Sequence, residues 1–536
     1  MHKVKRIRKP EFNPTIVDRV VSYFNPTRGR TRAIARMQLS MMGQFYTGAS
    51  KSRRQTKEWN TKDSSPDEAV LWDMMSIRDR ARDLMRNTGY ARGAVLTHST
   101  NTVGPGLRVN PNVDAAVLGL NDEQKHELET TMRREFNFFA DSLESDIRQT
   151  LPFNYSNDQA LMNTLVAGDT ITVLSNVKKK HSPYTLAYQI IEADRLSNPN
   201  NAADTLEIIA GVEKTAQGAP VAYHISRHHP GDRRVVKQMK WDRIERFGKE
   251  TGRLNVIHLF KPERPGQTRG ISWLAPVIEP LKMLGRYTDA ELMAAVIAGM
   301  FTVFVKTESG EGLDNFTDLS PETGSKSTDK DMKLGDGMVV DLLPGEDIET
   351  ANPSRPNTAF EPFVQAILRE VGVSLNIPFE ILVKHFTASY SASRAALMEA
   401  WKFFITERTW FARMYCQPVY EALMDEAVAI GRVPAPGYFA NTFIRAAYLR
   451  ASWIGPPKGM INEKVETEAA LKRVEGGLST LNEETVSYTG IEYMDKHPQR
   501  VREVKMRVAD KLEEPVGTGA TSVQVVEPDD DLAGRT

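Results

Sequence analysis

At 536 residues the chain is long enough for roughly three or four domains. Its 69 Lys plus Arg are balanced by 69 Asp plus Glu. That balance excludes a dedicated sequence-independent DNA clamp, which carries excess positive charge to meet phosphate; it favours self-association instead. Cys416 is the only cysteine, so there is no internal disulfide framework and a reducing compartment fits. The basic start MHKVKRIRKP lacks the apolar stretch of a secretory signal.

Residues 1–62 are basic and weakly periodic, with Arg6, Arg8, Arg28, Arg30, Arg32, Arg36, Arg53 and Arg54. They read as a mobile, partly disordered arm, or as a nucleic-acid- or partner-binding arm that folds on assembly. Order is expected from Ser65-Pro66-Asp67-Glu68, a cap followed by proline at the first helical position. The helix runs to Asn87. Val70, Leu71, Met74, Ile77, Ala81 and Leu84 form its buried stripe, and Arg78, Arg80, Arg82 and Arg86 decorate a solvated or intersubunit face. Further helices are expected over 90–103, 122–140 (capped by Asn121 with Gln124 three residues later) and 157–167. From 169 to 260 the period changes to two: DTITVLSNV, YTLAYQII, LEIIAGVE, APVAYHIS and NVIHLF are strand-like. Helices followed by strands argue an α+β fold.

The stretch Trp273–Phe301 predicts a long helix starting near Pro276 and Pro280. Its second half, LMAAVIAGM, is apolar on nearly every face, so it must be covered by a core or by copies of itself. The uncharged run Leu292–Val305 is too short to cross a bilayer, which takes about 20 residues. A strand over 302–306, a polar stretch over 307–336 and a returning strand over 337–345 follow. Then Phe360, Phe363, Val364, Ile367, Leu368 and Val371 mark one clean helical stripe. This helix and the previous one bracket the polar insertion and are expected to run antiparallel. Lys384, His385, Phe386, Thr387, Ser389 and Tyr390 then place a cation, an imidazole and two aromatics between two helices. Ser391 is expected to cap a very long helix kinked at Pro418. More helices follow over 463–475 and 495–512, with a short one capped by Ser479 or Thr480. The tail, 513–536, is rich in Gly, Pro and Asp and is expected to be disordered.

Candidates for chemistry are sparse. His228 and His229 with Asp232 suggest a metal, but adjacent histidines in a strand point to opposite faces, so a surface turn fits better. The chain contains no G-x-S-x-G elbow and no G-x-x-x-x-G-K-[ST] loop; Gly455 to Gly459 is a proline turn. Cys416 reads as a core thiol. No catalytic residue, cofactor or metal ligand is assigned. Two rival readings stay open: a serine hydrolase acting through Ser391 and His385, and a non-ring DNA-binding protein, whose affinity would depend steeply on salt.

RDLMRNTGYARGA (82–94), RPGQTRGISWLAPVI (264–278), YTDAELMAAVIA (287–298), YSASRAAL (390–397) and GGLST (476–480) occur in one order. Together, across about 82–506, they make the chain resemble the portal proteins of lambda-like tailed bacteriophages. It departs from that family at His385, where an acidic residue is usual, and at Ala392, where one of two paired serines is usual. The resemblance implies a portal fold: a wing (63–270) after the arm (1–62), a first stem helix (271–300), a clip (301–357), a second stem helix (358–380) and a channel loop (381–392). A long helix returning to the wing (393–455), an α-helical crown (456–512) and the tail (513–536) complete it. It also implies a structural, non-enzymatic ring of twelve copies at one capsid vertex. Double-stranded DNA would be packaged and ejected through it without sequence specificity. The implied partners are the terminase large subunit, then the head–tail adaptor, and the major capsid protein, with no membrane. The protein would be made in the bacterial host cytoplasm and end in the virion. The loop residues Lys384 to Tyr390 would face DNA, and Phe360 to Val371 would pack the stem.

Overall fold

The structure is a computed structural model describing residues 16–32, 34, 58, 61, 63–234, 239–299, 303–307, 346–350, 358–386, 389–459, 462–510 and 512. The expected returning strand at 337–345, most of the polar insertion, Thr387, the side chain of Tyr390 and the tail lie outside the described residues. The chain divides into two compact units, 1–68 and 69–536. The first contains helix α1 (Ile16–Phe24).

Helix α2 (Pro66–Asn87) begins as expected, the Ser65 hydroxyl accepting from the Glu68 N–H at 3.1 Å. One face departs from expectation. Arg78 is buried and Arg82 half-buried, so the arginines do not share a solvated face. Arg78 lies four residues after Met74 and three before Ala81, at the spacing of the buried stripe, and the buried Asp169 receives it, while the half-buried Asp194 receives Arg82. Helices α3 (Gly89–Thr102), α4 (Ala115–Leu118), α5 (Asp122–Ala140) and α6 (Phe153–Ala167) follow. The Asn121–Gln124 capping box of α5 is complete. Helix α6 starts four residues before the predicted position, directly after Pro152, with Phe153 and Ser156 buried.

Strands β2 (Asp169–Asn176), β3 (Leu186–Glu192) and β8 (Val256–Phe260) form one antiparallel sheet in the order β3-β2-β8, pairing Ile171 with both Ile191 and His258. The second sheet is a meander of β4 (Ile208–Ile209), β5 (Val212–Lys214), β6 (Pro220–Ser226) and β7 (Trp241–Glu245). LEIIAGVE is therefore not one strand. Ala210 and Gly211 take φ of 47° and 85°, turning it into a tight hairpin. Strand β7 escaped the sequence reading, as did β1 (Arg108–Pro111), which pairs with β11 (Ala451–Ile454) from the far end of the chain.

Helix α7 (Ile278–Gly299) leads to strand β9 (Val303–Thr307), which pairs antiparallel with β10 (Glu346–Thr350). Helices α8 (Phe360–Ser374) and α9 (Phe379–Val383) come next. Helix α10 (Tyr390–Phe411) passes through a π-turn (Ala412–Cys416) into α11 (Gln417–Ala429). Pro418 falls at the start of α11, so the expected kink is replaced by this wide turn. Proline cannot bond the carbonyl four residues back and crowds it, and the π-turn takes up that strain. Helix α12 (Thr442–Tyr448) precedes β11; α13 (Glu463–Glu475), α14 (Leu481–Thr489) and α15 (Tyr493–Ala509) follow it.

One large core unites α2, α3, α5, α6, the β3-β2-β8 sheet, the start of α7 and the α10–α11 rod. Phe153 stacks on Tyr415 with ring centres 6.0 Å apart, and Phe136 meets Tyr420 edge-on at 5.5 Å. Cys416 is buried here and its thiol is pushed up by burial, as a core thiol should be. A smaller core of Ile171, Tyr223, Ile225 and Val256 joins the two sheets.

Candidate functional site

The segment 264–278 contributes Arg269 to a buried ionic hub. Arg269 is 1% exposed. Its guanidinium is bonded to the Asp169 carboxylate and donates to the carbonyls of Ala193 (2.8 Å), Leu196 (2.8 Å) and Ala210 (2.9 Å). Arg78 also reaches Asp169, at 3.2 Å, and donates to the Ala167 carbonyl at 3.0 Å; His258 lies 3.1 Å from the same carboxylate. Burial alone would raise the Asp169 carboxyl, but Arg269, His258 and Arg78 outweigh it and hold it far below the usual carboxylate range. Backbone closes on backbone beside the hub: Gly168 takes φ +94°, and a Cβ there would stand 2.7 Å from the Gly270 carbonyl carbon.

From the hub the chain enters α7 in a fixed position. Trp273 N–H donates to the Leu165 carbonyl (2.9 Å), as does the Ser272 hydroxyl (3.2 Å). The Trp273 ring meets His98 at 5.1 Å, and Phe403 from α10 meets the other side of the imidazole at 5.2 Å. This apolar cage pushes the His98 pKa down to about 3, chiefly by burial. Leu274, Val277, Leu281 and Leu284 anchor the first turns of α7 in the core.

Helix α8 packs against α7. Leu368 and Val371 are buried, Ile367 packs on the core, and Phe360 and Val364 are half-buried. Tyr287 stacks on Phe360 at 5.5 Å and meets Phe363 edge-on at 5.0 Å, although Phe363 is itself half-exposed. The buried start of α7 shares a core with the buried end of α8, while mid-α7 meets the start of α8, so the pair is antiparallel. Beyond Tyr287 the cover ends: Leu292 is 64% exposed, and Met293 and Val296 are exposed with it. Among the described residues, Leu292, Met293 and Val296 are thus left uncovered in the apolar half of α7.

The loop after α9 turns on Lys384, a non-glycine residue at φ 55°. The N–H groups of Lys384 and His385 both go to the Glu380 carbonyl. Lys384, His385 and Phe386 are exposed. Phe386 and Lys384 line a groove of about 450 Å³ with Leu96, Trp401 and Lys458, so the ring of Phe386 lies along its own helices. The cap of α10 is Ser389, whose hydroxyl accepts from the Ala392 N–H at 3.4 Å, and not Ser391. Ser391 sits exposed in the first turn, and among the described residues no hydrogen bond joins it to His385.

His228 and His229 lie in bends after β6, not in a strand. Asp232 is paired with Arg234. His229 instead faces Glu192 at 3.4 Å and Asp194 at 4.0 Å, a grouping whose donor atoms could surround a cation. Its Nδ1, however, accepts from the Gly231 N–H at 2.9 Å, which leaves the proton on Nε2, the atom facing the acids. Arg82 already pairs with both carboxylates, and Arg78 also reaches Asp194. The arrangement is thus a salt-bridge network extending the hub.

A model of phage portal proteins of the lambda family matches residues 52–408, two-thirds of the chain, including the hub, both packed helices and the loop. The chain belongs to the lambda family of phage portal proteins. Among individual proteins it is 26% identical over 496 residues to Portal protein B of Escherichia phage lambda and 27% identical over 497 residues to the portal protein of Escherichia phage N15. Each alignment covers 89% of this chain and 92% of the relative. A probable portal protein of Halomonas phage phiHAP-1 is 23% identical over 533 residues, covering 95% of this chain and 94% of that one. A solved structure of the neck of a native GTA particle, computed with C12 symmetry, aligns over 77% of this chain and 92% of its own at 13% identity and a TM-score of 0.41. The serine-hydrolase alternative gains no support from the relatives or from the positions of Ser391 and His385.

Proposed function

We propose that the chain assembles into a closed ring of twelve copies at one vertex of a phage capsid, forming the channel for packaging and ejecting double-stranded DNA. The observation that carries this is the lambda-family match over 52–408. The exposed apolar half of α7 supports it, because that surface needs a neighbour and a head-to-tail contact closes into a ring. In this reading 63–270 and 393–455 form the wing, 271–300 and 358–380 the stem, 301–357 the clip, 381–392 the channel loop and 456–512 the crown. The body holds α7 through the hub and the His98 cage, and α7 with α8 sets the wall of the channel.

The work of the ring is geometric. Zero net charge lets a polyanion slide by without being gripped. Lys384 offers each copy one point charge for brief phosphate contact, and His385 adds a polar tip beside it. The chain supplies no hydrolytic machinery; a terminase large subunit docks on the clip and hydrolyses ATP, and a head–tail adaptor later takes its place. The wing and crown face the major capsid protein and the capsid interior, in a virion component made in the host cytoplasm. Mass photometry of the purified protein tests the assembly: a species of about 720 kDa, twelve times the 60.1 kDa chain, is expected. A chain that stays monomeric at micromolar concentrations in low and high salt overturns the ring and leaves the non-ring DNA-binding alternative.

A further inference from the structure

The last three helices are attached to the rest of the molecule in an unusual way. None of α13, α14 or α15 has a buried residue. Among the described residues from 462 to 512 only Glu492, just before α15, is buried. Helices docked on a core normally bring an apolar stripe to it, and burial of that stripe holds them. Here charge does the work. Arg133, on α5, bonds the Glu492 carboxylate at 2.6 Å and the Asp495 carboxylate at 3.2 Å, and donates to the Asn110 side chain on β1 at 2.9 Å. Glu492 occupies the position that should cap α15 but makes no capping bond; it turns to Arg133. The other attachment is covalent, through β11 and Gly455-Pro456-Pro457. Arg408 pins the Pro456 carbonyl to the body at 2.9 Å, and the next residue, Pro457, lies close to Gly490 of the helical unit.

The joint is incompletely filled. Cavities of about 260 and 200 Å³ flank the Arg133–Glu492 pair, both walled largely by polar groups. Glu492 Oε1 and Arg133 Nε are buried without a hydrogen-bond partner among the described residues. Burial raises the Glu492 carboxyl, Arg133 opposes that rise, and the neighbouring Asp495 and Glu129 add to it. A buried ion pair with unsatisfied atoms contributes little net stability, yet losing one partner is strongly unfavourable. Such a joint is poised: tight while Arg133 is in place, and cheap to open once it leaves.

We propose that Arg133 is a latch holding the C-terminal helical unit, residues 462–510, against the body, and that breaking its ion pairs releases the unit, whose thinly packed helices then open more often, while the body stays folded. The class of device is a flap with one electrostatic catch, and it stands independently of the ring. Hydrogen exchange followed by mass spectrometry on the full-length protein tests it. Arg133→Ala should speed exchange across 462–510 at least ten-fold and leave α5 and β1 at wild-type rates; Arg133→Lys should restore most of the protection. Asp495→Lys approaches the same joint from the exposed side of α15, altering no body residue, and should speed exchange in the same peptides. Wild-type exchange in 462–510 for Arg133→Ala or Asp495→Lys overturns the latch. Exchange that rises equally in α5 and β1 also overturns it, because Arg133 would then be a structural residue of the body.

Discussion

Replacing Arg269 by methionine keeps an unbranched, flexible stem that fills part of the same space and removes the charged guanidinium. The perturbation strikes a site with no water to compensate: Arg269 is 1% exposed and bonds both Asp169 and three backbone carbonyls. Asp169 keeps Arg78 and His258, so its charge is not wholly abandoned, and breaking the buried pair costs about 3 kcal/mol, the low end of the usual range. Each carbonyl loses a charge-assisted bond, worth at least about 1 kcal/mol apiece at a buried site. The sum, about 6 kcal/mol, is comparable with the whole stability of a typical domain, about 5–15 kcal/mol. At about 2–4 °C per kcal/mol for a large domain, the unfolding midpoint should fall by roughly 12–24 °C, or the chain should fail to accumulate in soluble form. Differential scanning fluorimetry of the two proteins at pH 7 measures this. A midpoint within about 3 °C of wild type would mean that the hub's bonds are individually dispensable.

The buried His98 gives a pH signature: its folded pKa, about 3, lies below the unfolded value of 6.5, so the stability it allows at neutral pH is lost as pH falls below 6.5. At about 1.4 kcal/mol per unit the loss by pH 5 is roughly 2 kcal/mol, and His98→Phe should flatten that slope in denaturant titrations at both pH values. Leu368→Ala should cost about 2–5 kcal/mol in the same titrations, since the residue is buried between α7, α8 and the core. Phe363→Asp, at a half-exposed position, should leave the monomer folded by circular dichroism but reduce ring formation in mass photometry; normal rings would remove Phe363 from the contact surface. Lys384→Glu combined with His385→Glu should leave rings intact by electron microscopy and lower nuclease-protected DNA in assembled procapsids, whereas wild-type filling would show that the loop does not face DNA.

Local chemistry was well written in the chain. The Asn121–Gln124 box and the Ser65 cap rest on neighbours three residues apart, and their helices sit at the expected bounds, whereas the helix of the Phe360–Val371 stripe runs on to Ser374 and leaves Phe363 half-exposed. Long-range pairing was not. Asp169, Arg78 and Arg269 lie about a hundred residues from one another, so no period connects them. The available signal was local and easily discounted: Arg78 occupies stripe spacing, where an arginine should prompt a search for a buried acid. Strands β1 and β11 escaped because each is four residues long and their pairing spans the chain. Ser389 and Ser391 offer the same capping chemistry two residues apart, and only the backbone decides between them. In the loop, Lys384, His385 and Phe386 are neighbours in sequence, but that Lys384 and Phe386 line a groove with Trp401 depends on the turn at Lys384.

The hub also dictates an order of events during synthesis. Its anion is encoded at 169 and its central cation at 269, so Arg78 is already present when Asp169 is made but its most buried partner arrives only when translation has passed Arg269. Only then does the ribosome release α7, whose outer half is apolar and exposed, and α8 follows about 60 residues later. At about 5–20 residues per second that interval lasts several seconds. During it each nascent chain displays an adhesive helix on a body that still lacks the α10–α11 rod of its core. The polar insertion between the two helices is thus a delay line as well as a surface, and shortening it would narrow the window in which neighbouring nascent chains can stick to one another before the helix pair is complete.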